Sequence, residues 1–172
     1  MREAHRKAVN EALKRNMLIS FDPNLRFPLW KDKGELKRAV NKFMPYAHIV
    51  KISDEEVEFI TGKKNIEDAV EILLRGNTKM VVYTKGAQGA EVYRKKDRAF
   101  SACEKVEVVD TTGAGDGFIG SFLYKLFENN VNVNNIEDID IEILKEALDF
   151  SNKYCTISVT KKGAIASYPN KI

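Results

Sequence analysis

The stretch Val108-Val109-Asp110-Thr111-Thr112-Gly113-Ala114-Gly115-Asp116-Gly117-Phe118 constrains this chain more than any other. A β-branched run ends in a turn of Gly113, Ala114 and Gly115. An apolar pattern of helical period follows at Phe118, Ile119, Phe122, Leu123, Leu126 and Phe127. The pattern predicts strand, glycine turn, helix. Glycines let the backbone pass close to a ligand, because no Cβ stands in the way. The first amides of a helix lack internal partners, and the dipole there favours anions. A carboxylate in the same turn, Asp116, is out of place in a plain anion site. It fits if a phosphate rests on the amides and the carboxylate accepts a proton beside it.

With 172 residues the chain is long enough for one α/β domain with a sizeable core. Its formal net charge of +3 is too weak to imply nucleic acid. No apolar run is long enough to span a membrane, and the first residues lead into a charged helix, not an apolar signal core. Cys103 and Cys155 lie far apart and form no ligand pattern, which points to reduced thiols and a cytoplasmic protein. A zinc site is not expected.

Residues Glu3 to Arg15 carry a helical apolar stripe, and Met17 to Phe21 reads as a buried strand. The loop Asp22-Pro23-Asn24-Leu25-Arg26-Phe27-Pro28 follows directly on that strand, and its two prolines oppose regular structure. Ligands of parallel α/β sheets sit beyond the carboxyl ends of strands. Asp22, Asn24 and Arg26 are therefore candidates for substrate or phosphate contact, against turn chemistry or a surface ion pair. Gly34 to Phe43 reads as a helix and Ala47 to Ile52 as a strand. Ser53 and Glu56 have capping-box spacing at the start of the next helix. Glu56 has a second reading, as an acidic residue at a strand end holding Mg²⁺ through water. Asn65 caps a further helix. Lys79 to Thr84, the turn Lys85 to Gly89 and Ala90 to Arg94 form a hairpin whose glycines leave room for a nucleotide phosphate near Thr84 and Gly86. A polar loop or edge strand covers Lys95 to Lys105, an asparagine-rich loop surrounds Asn132, and Ile141 to Ser158 is a long core helix. There are no internal repeats, and residues 1–172 read as a single domain.

Asp110-Thr111-Thr112-Gly113-Ala114-Gly115-Asp116 resembles the C-terminal signature of the ribokinase (PfkB) family of carbohydrate kinases. The order of other segments supports it. Phe21 to Arg26 with Leu29-Trp30, and Lys51 to Glu56 followed by Thr61-Gly62, are similar to the bacterial fructokinase branch. Thr84 to Ala90 resembles the family's nucleotide turn, and Thr160 to Ala164 its closing loop. The resemblance implies a ribokinase-like three-layer α/β/α fold with a mainly parallel sheet. It implies ATP-dependent phosphorylation of a sugar hydroxyl, with fructose favoured. Asp116 would be the general base, and the amides of Gly113, Ala114, Gly115 and Asp116 the anion hole. Thr84, Gly86, Gly89 and Asn152 match nucleotide-binding positions. Asn24 and Arg26 match a loop facing the sugar and γ-phosphate. Glu56 matches the acidic residue near Mg²⁺, although Ser53 stands where many members have Asn. Asp110, Thr112, Gly163 and Ser167 match a K⁺ site that some members use.

The implied chemistry is consistent with the residues. Phosphoryl transfer through a loose transition state relies on positioning and charge neutralisation. No Gly-Lys-Ser or Gly-Lys-Thr occurs, which excludes a P-loop. Family members are about twice this length, and their N-terminal half supplies a sugar-binding motif, the first strands and a lid. The chain therefore reads as the C-terminal nucleotide-binding part of such a fold, truncated at the N-terminus, with little sugar kinase activity of its own. The strand Met17–Phe21 is expected to present an open edge through which copies associate. The alternatives are a 2-keto-3-deoxygluconate kinase fragment, a nucleotide-binding module that does not catalyse, and an interaction domain that keeps only the fold.

Overall fold

The computed structural model describes residues 2–170. In chain order the elements are α1 (Arg2–Lys14), β1 (Ser20–Phe21), α2 (Lys33–Phe43), β2 (Ile49–Ser53), α3 (Asp54–Thr61), α4 (Ile66–Leu73), β3 (Met80–Thr84), β4 (Ala90–Tyr93), β5 (Arg98–Ser101), α5 (Ala114–Glu128) and α6 (Ile141–Val159). The strands are hydrogen-bonded in the order β1-β2-β3-β4-β5. β1 and β2 run parallel, with Ser20 opposite Ile49 and Phe21 opposite Val50. The residues form two compact units. One runs through residue 83 with 93–96 and 132–137; the other holds 84–92, 97–131 and the residues from 138 onward.

The first unit is built on β2, whose Ile49, Val50 and Ile52 are fully buried. Its helices place apolar residues three and four apart on one face: Leu36 and Val40 of α2, Val57 and Ile60 of α3, Ile66, Ala69 and Leu73 of α4. These join Ile52 and Val81 in one core. Each full burial of a Leu or Ile contributes about 1.5–3 kcal/mol, which is why the stripes dictate the packing. Each of these three helices starts on a side-chain cap. Asp32 accepts from Gly34 N, Asn65 accepts from Asp68 N, and Ser53 and Glu56 form the expected capping box. The second unit centres on α5 against α6, with Phe118, Phe122 and Leu126 buried from one helix and Leu144, Ala147 and Leu148 from the other. Asp140 caps α6 by accepting from Glu142 N.

Three segments differ from the sequence reading. The strand expected over Met17–Phe21 is only Ser20–Phe21. Asn16 turns with φ +54 and Met17 N donates back to Ala12 O, so Met17 closes α1; the His48 ring nitrogen takes the Ile19 amide, and Ile19 O accepts the His48 and Ile49 amides just before β1. The proline loop is not wholly irregular. Phe27–Leu29 forms one 3₁₀ turn with Pro28 in its first positions, where a missing N–H costs nothing. The strand expected over Val106–Val109 does not form. Val106, Val108 and Val109 are 38–58% exposed. The amides of Val109 and Asp110 both donate to Val159 O. A β-rich run without a neighbouring strand has no ladder to enter.

The hairpin turn after β3 depends on Gly89. Its φ is +100 and ψ −149, a region open essentially only to glycine. A Cβ there would lie 2.0 Å from Ser101 O and 2.8 Å from the Ala102 Cα. Gly89→Ala is expected to destabilise the protein by about 3 kcal/mol, read as a lower urea midpoint with an unchanged slope.

Candidate phosphoryl-transfer site

The turn Asp110–Asp116 forms as the sequence predicts at its helical end. Gly113 is the N-cap of α5 in the left-handed region, φ +79. Its Cβ position is already filled by Ala164 Cβ and the Tyr168 hydroxyl, each 2.8 Å away, so only glycine fits. No side chain caps α5. The Ala114 amide donates to Thr111 O at 3.1 Å and the Gly117 amide to Gly113 O at 2.8 Å. Between them, the amides of Gly115 and Asp116 make no hydrogen bond among the described residues. Asp116 is exposed at the same turn. Two open amides and a carboxylate thus stand together at a helix N-terminus, where the dipole favours an anion. A cavity of about 620 Å³ opens beside Asp116, walled by Gly117, Tyr124, Phe150, Tyr154 and Tyr168.

The loop after α6 grips this turn from outside. Asp110 accepts from Thr112 N at 2.8 Å and from Gly163 N at 2.9 Å. Hydrogen bonds from Thr112 and Gly163 hold the Asp110 carboxyl at about 2, well below its usual range. Asp110, Thr112 and Gly163 are therefore brought together. The Ser167 side chain is buried, and its hydroxyl is engaged by Ser158 at 2.7 Å and Ala164 O at 2.7 Å. Oxygen donors for a monovalent cation fit at the first three positions, while Ser167 would have only its carbonyl to give.

The four nucleotide candidates have distinct surroundings. Thr84 is half-buried at the end of β3, and Gly86 is exposed in the turn with φ +55. Gly89 is buried against the Ser101–Cys103 backbone, so its contribution is the shape of the turn. Asn152 is 4% exposed: its amide donates to Ser101 O and Oγ at 2.9 and 2.8 Å, and its oxygen accepts from Cys103 Sγ at 3.3 Å. Its side chain braces β5 against α6.

The remaining candidates form a second cluster, in the first unit. Glu56 is 6% exposed and accepts from Ser53 N and Leu25 N, both at 2.9 Å. One carboxylate thereby ties the loop Asp22–Arg26 to the start of α3, so the capping reading is realised and the loop bond is added to it. Each oxygen keeps a second lone pair, which leaves it able to accept from a water bound to Mg²⁺. Among the described residues no group of three or more His, Cys, Asp or Glu is placed to hold a metal. Asp22 accepts from Asn24 N at 3.1 Å, and Asn24 takes φ +42. Arg26 is exposed. Sequence reasoning missed the partner of Asp22. Lys51 Nζ lies 3.1 Å from the Asp22 carboxylate, with the two side chains 8% and 16% exposed. The signal was present: a lysine inside the buried run Ile49-Val50-Lys51-Ile52 requires a counter-charge. Burial pushes the Asp22 carboxyl above its ordinary range, and Lys51 pulls it part of the way back.

A parallel β1-β2 pair, strand-end loops carrying polar groups and an uncapped glycine turn define an α/β protein with a helix start open to an anion. Residues 1–171 match the pfkB family carbohydrate kinase profile, and the chain belongs to that family. Fructokinase-2 of Solanum lycopersicum is 39% identical over 169 residues, 98% of this chain and 50% of that protein. The crystal structure of fructokinase from Vibrio cholerae O395 with fructose, ADP and calcium bound is 30% identical, with a TM-score of 0.83 over 97% of this chain and 52% of that one. A double mutant of the Vibrio enzyme, with fructose, ADP and potassium bound, gives a TM-score of 0.85 at 30% identity and the same coverage. The fold is ribokinase-like α/β, with a five-stranded mixed sheet. It spans about half the length of these relatives.

Lys51→Met keeps the aliphatic stem and leaves Asp22 buried without its counter-charge. A loss of about 3 kcal/mol is expected at pH 7. Asp22 already has a folded pKa above its unfolded value, and removing Lys51 raises it further. Stability from such a group is present below the unfolded pKa and lost as pH rises through the folded one. The deficit of Lys51→Met should therefore shrink as pH falls towards 4, measured by urea unfolding at several pH values.

Proposed function

We propose that this chain carries the phosphoryl-transfer end of an ATP-dependent sugar kinase with fructose as the favoured acceptor. The observation that supports it most is the start of α5: two unpaired amides at Gly115 and Asp116 beside an exposed carboxylate. Asp116 takes the proton of the acceptor hydroxyl as the oxygen attacks the γ-phosphorus. The open amides stabilise negative charge on the transferring γ-phosphoryl group as it moves from ATP to the sugar and ADP leaves. The Ala114 amide is held by Thr111 O here, so in this state the anion hole consists of fewer donors than the motif suggests. Thr84 and Gly86 serve the nucleotide phosphates, and Asn24 and Arg26 face the sugar and γ-phosphate. Glu56 would hold a water of Mg²⁺, which would supply charge neutralisation at the phosphates when bound, and Asp110, Thr112 and Gly163 would provide oxygens for K⁺. Relatives crystallised with fructose, ADP and potassium support these ligand classes. No helix among the described residues is long and apolar enough to cross a membrane, and the reading places the protein in the cytoplasm.

Because the chain spans half the length of its relatives, transfer by this polypeptide alone is expected to be very slow: water must be excluded and the acceptor held in line. Two outcomes follow. Calorimetry should show ADP binding to the isolated chain, while a coupled assay shows almost no fructose-dependent ADP release. A normal kinase rate would refute the second, and absence of ADP binding would refute the nucleotide reading. With the N-terminal half of the tomato fructokinase supplied as a separate polypeptide, turnover should appear. Asp116→Asn should then reduce it about a thousandfold while leaving ADP binding in place. Turnover that survived the substitution would remove Asp116 from the role of base.

A further inference from the structure

We propose that Tyr168 is a positioning residue for phosphoryl transfer: its phenol pins the Gly113 carbonyl and so fixes the direction in which the Gly115 and Asp116 amides face their anion. The inference rests on the reading of this turn as the site that receives the phosphoryl group. Tyr168 donates its hydroxyl to Gly113 O at 2.8 Å. The same carbonyl accepts the Gly117 amide at 2.8 Å, the first hydrogen bond of α5. Both lone pairs of that oxygen are thus committed, and the peptide plane joining Gly113 to Ala114 has no freedom to rotate. That plane sets the course of the next two residues, whose amides are the open ones.

The ring is fitted to the turn as closely as the hydroxyl. A Cβ on Gly113 would meet the Tyr168 hydroxyl at 2.8 Å, and one on Gly117 would meet its ring at 3.0 Å. Both glycines therefore make room for this side chain as well as for a ligand. Tyr154 supports the ring from the other side, with centroids 5.6 Å apart and a 52° tilt. The backbone beneath is anchored in turn. Tyr168 N donates to Ile165 O, Ser167 is buried on Ser158, and Gly163 N is held by Asp110. The loop thus grips the turn at both ends, at Asp110 and at Gly113. Burial, with the charge of Asp116 nearby, raises the Tyr168 phenol above its usual range, which keeps it a donor.

Tyr168→Phe retains the ring and removes the donor. In the purified chain, amide exchange followed by NMR should speed up about five- to tenfold at Ala114 and Gly117, whose bonds depend on the pinned turn. Amides in the middle of α6, such as Leu148, should be unchanged. Tyr154→Phe, which leaves the Gly113 carbonyl bonded, should exchange as wild type. In a titration with a non-hydrolysable ATP analogue, the Gly115 and Asp116 amides should shift in the wild-type chain, and Tyr168→Phe should weaken that binding by a similar factor. Exchange at Ala114 and Gly117 that stays at the wild-type rate would overturn the proposal. So would an equal rise across α5 and α6, because that is general loosening. If the analogue shifts neither amide in the wild type, the phosphoryl reading of the turn fails and the role of Tyr168 falls with it. If the analogue binds and Tyr168→Phe binds it equally well, only the role of Tyr168 falls.

Discussion

Every helix begins with backbone amides that have no partner inside it, and how the chain deals with them governs both its packing and its chemistry. At α2, α4 and α6 an Asp or Asn side chain takes one of them, and at α3 Ser53 and Glu56 exchange bonds. The helix α5 has no such side chain. Its sequence puts glycines at 113, 115 and 117 and an acid at 116, where the carboxylate makes no cap. An uncapped first turn costs about 1 kcal/mol of helix stability. The same turn keeps donors available for a charge that arrives only with a substrate. The capped starts of α2, α3, α4 and α6 are what make this exception informative.

Holding such a turn rigid without a cap requires restraint from elsewhere, and the loop after α6 provides it. Asp110 accepts the Thr112 and Gly163 amides, and Tyr168 reaches the Gly113 carbonyl. A parallel arrangement serves the first unit. There Glu56 accepts the Leu25 amide as well as that of Ser53, so a proline loop with exposed Asn24 and Arg26 is fastened to the start of α3. Lys51 fixes the carboxylate of Asp22 at the strand end beneath it. In both places a single acidic side chain joins a mobile type of segment to a helix start, and the groups read as functional lie beside the joint.

Much of this was legible because the signals are local. Helix stripes, the Ser53–Glu56 spacing, the Asn65 cap and the glycine turn are set by residues within four positions of each other, and α2 to α6 fall where the periodicity puts them. What was not legible depends on neighbours distant in sequence. The run Val106–Val109 has strand propensity and forms none, because propensity cannot supply a pairing partner. Met17–Phe21 yields its first residue to the end of α1, where Asn16 takes a left-handed turn, and only Ser20–Phe21 forms a strand. The bonds of Asn152 to Ser101 and Cys103, 51 and 49 positions away, carried no local signal. Tyr168 carried no signal at all, since nothing near it in sequence mentions Gly113, 55 positions earlier.

The exposure of Asp116 sets the terms on which the proposed chemistry can work. A carboxylate open to water is solvated and screened, and so are the amides beside it. Oxyanion-type stabilisation is strong only where water is excluded, because the donors then act in a medium of low dielectric constant. The turn as it stands therefore supplies direction without the environment that would give direction its full effect. This separates two quantities that are usually measured together. Affinity for a nucleotide phosphate needs only the open amides and their orientation. Acceleration of transfer needs in addition a cover over Asp116 that brings the acceptor hydroxyl and removes competing water. A polypeptide half the length of its relatives can hold the first property without the second, and the shape of the turn then becomes observable on its own, apart from turnover.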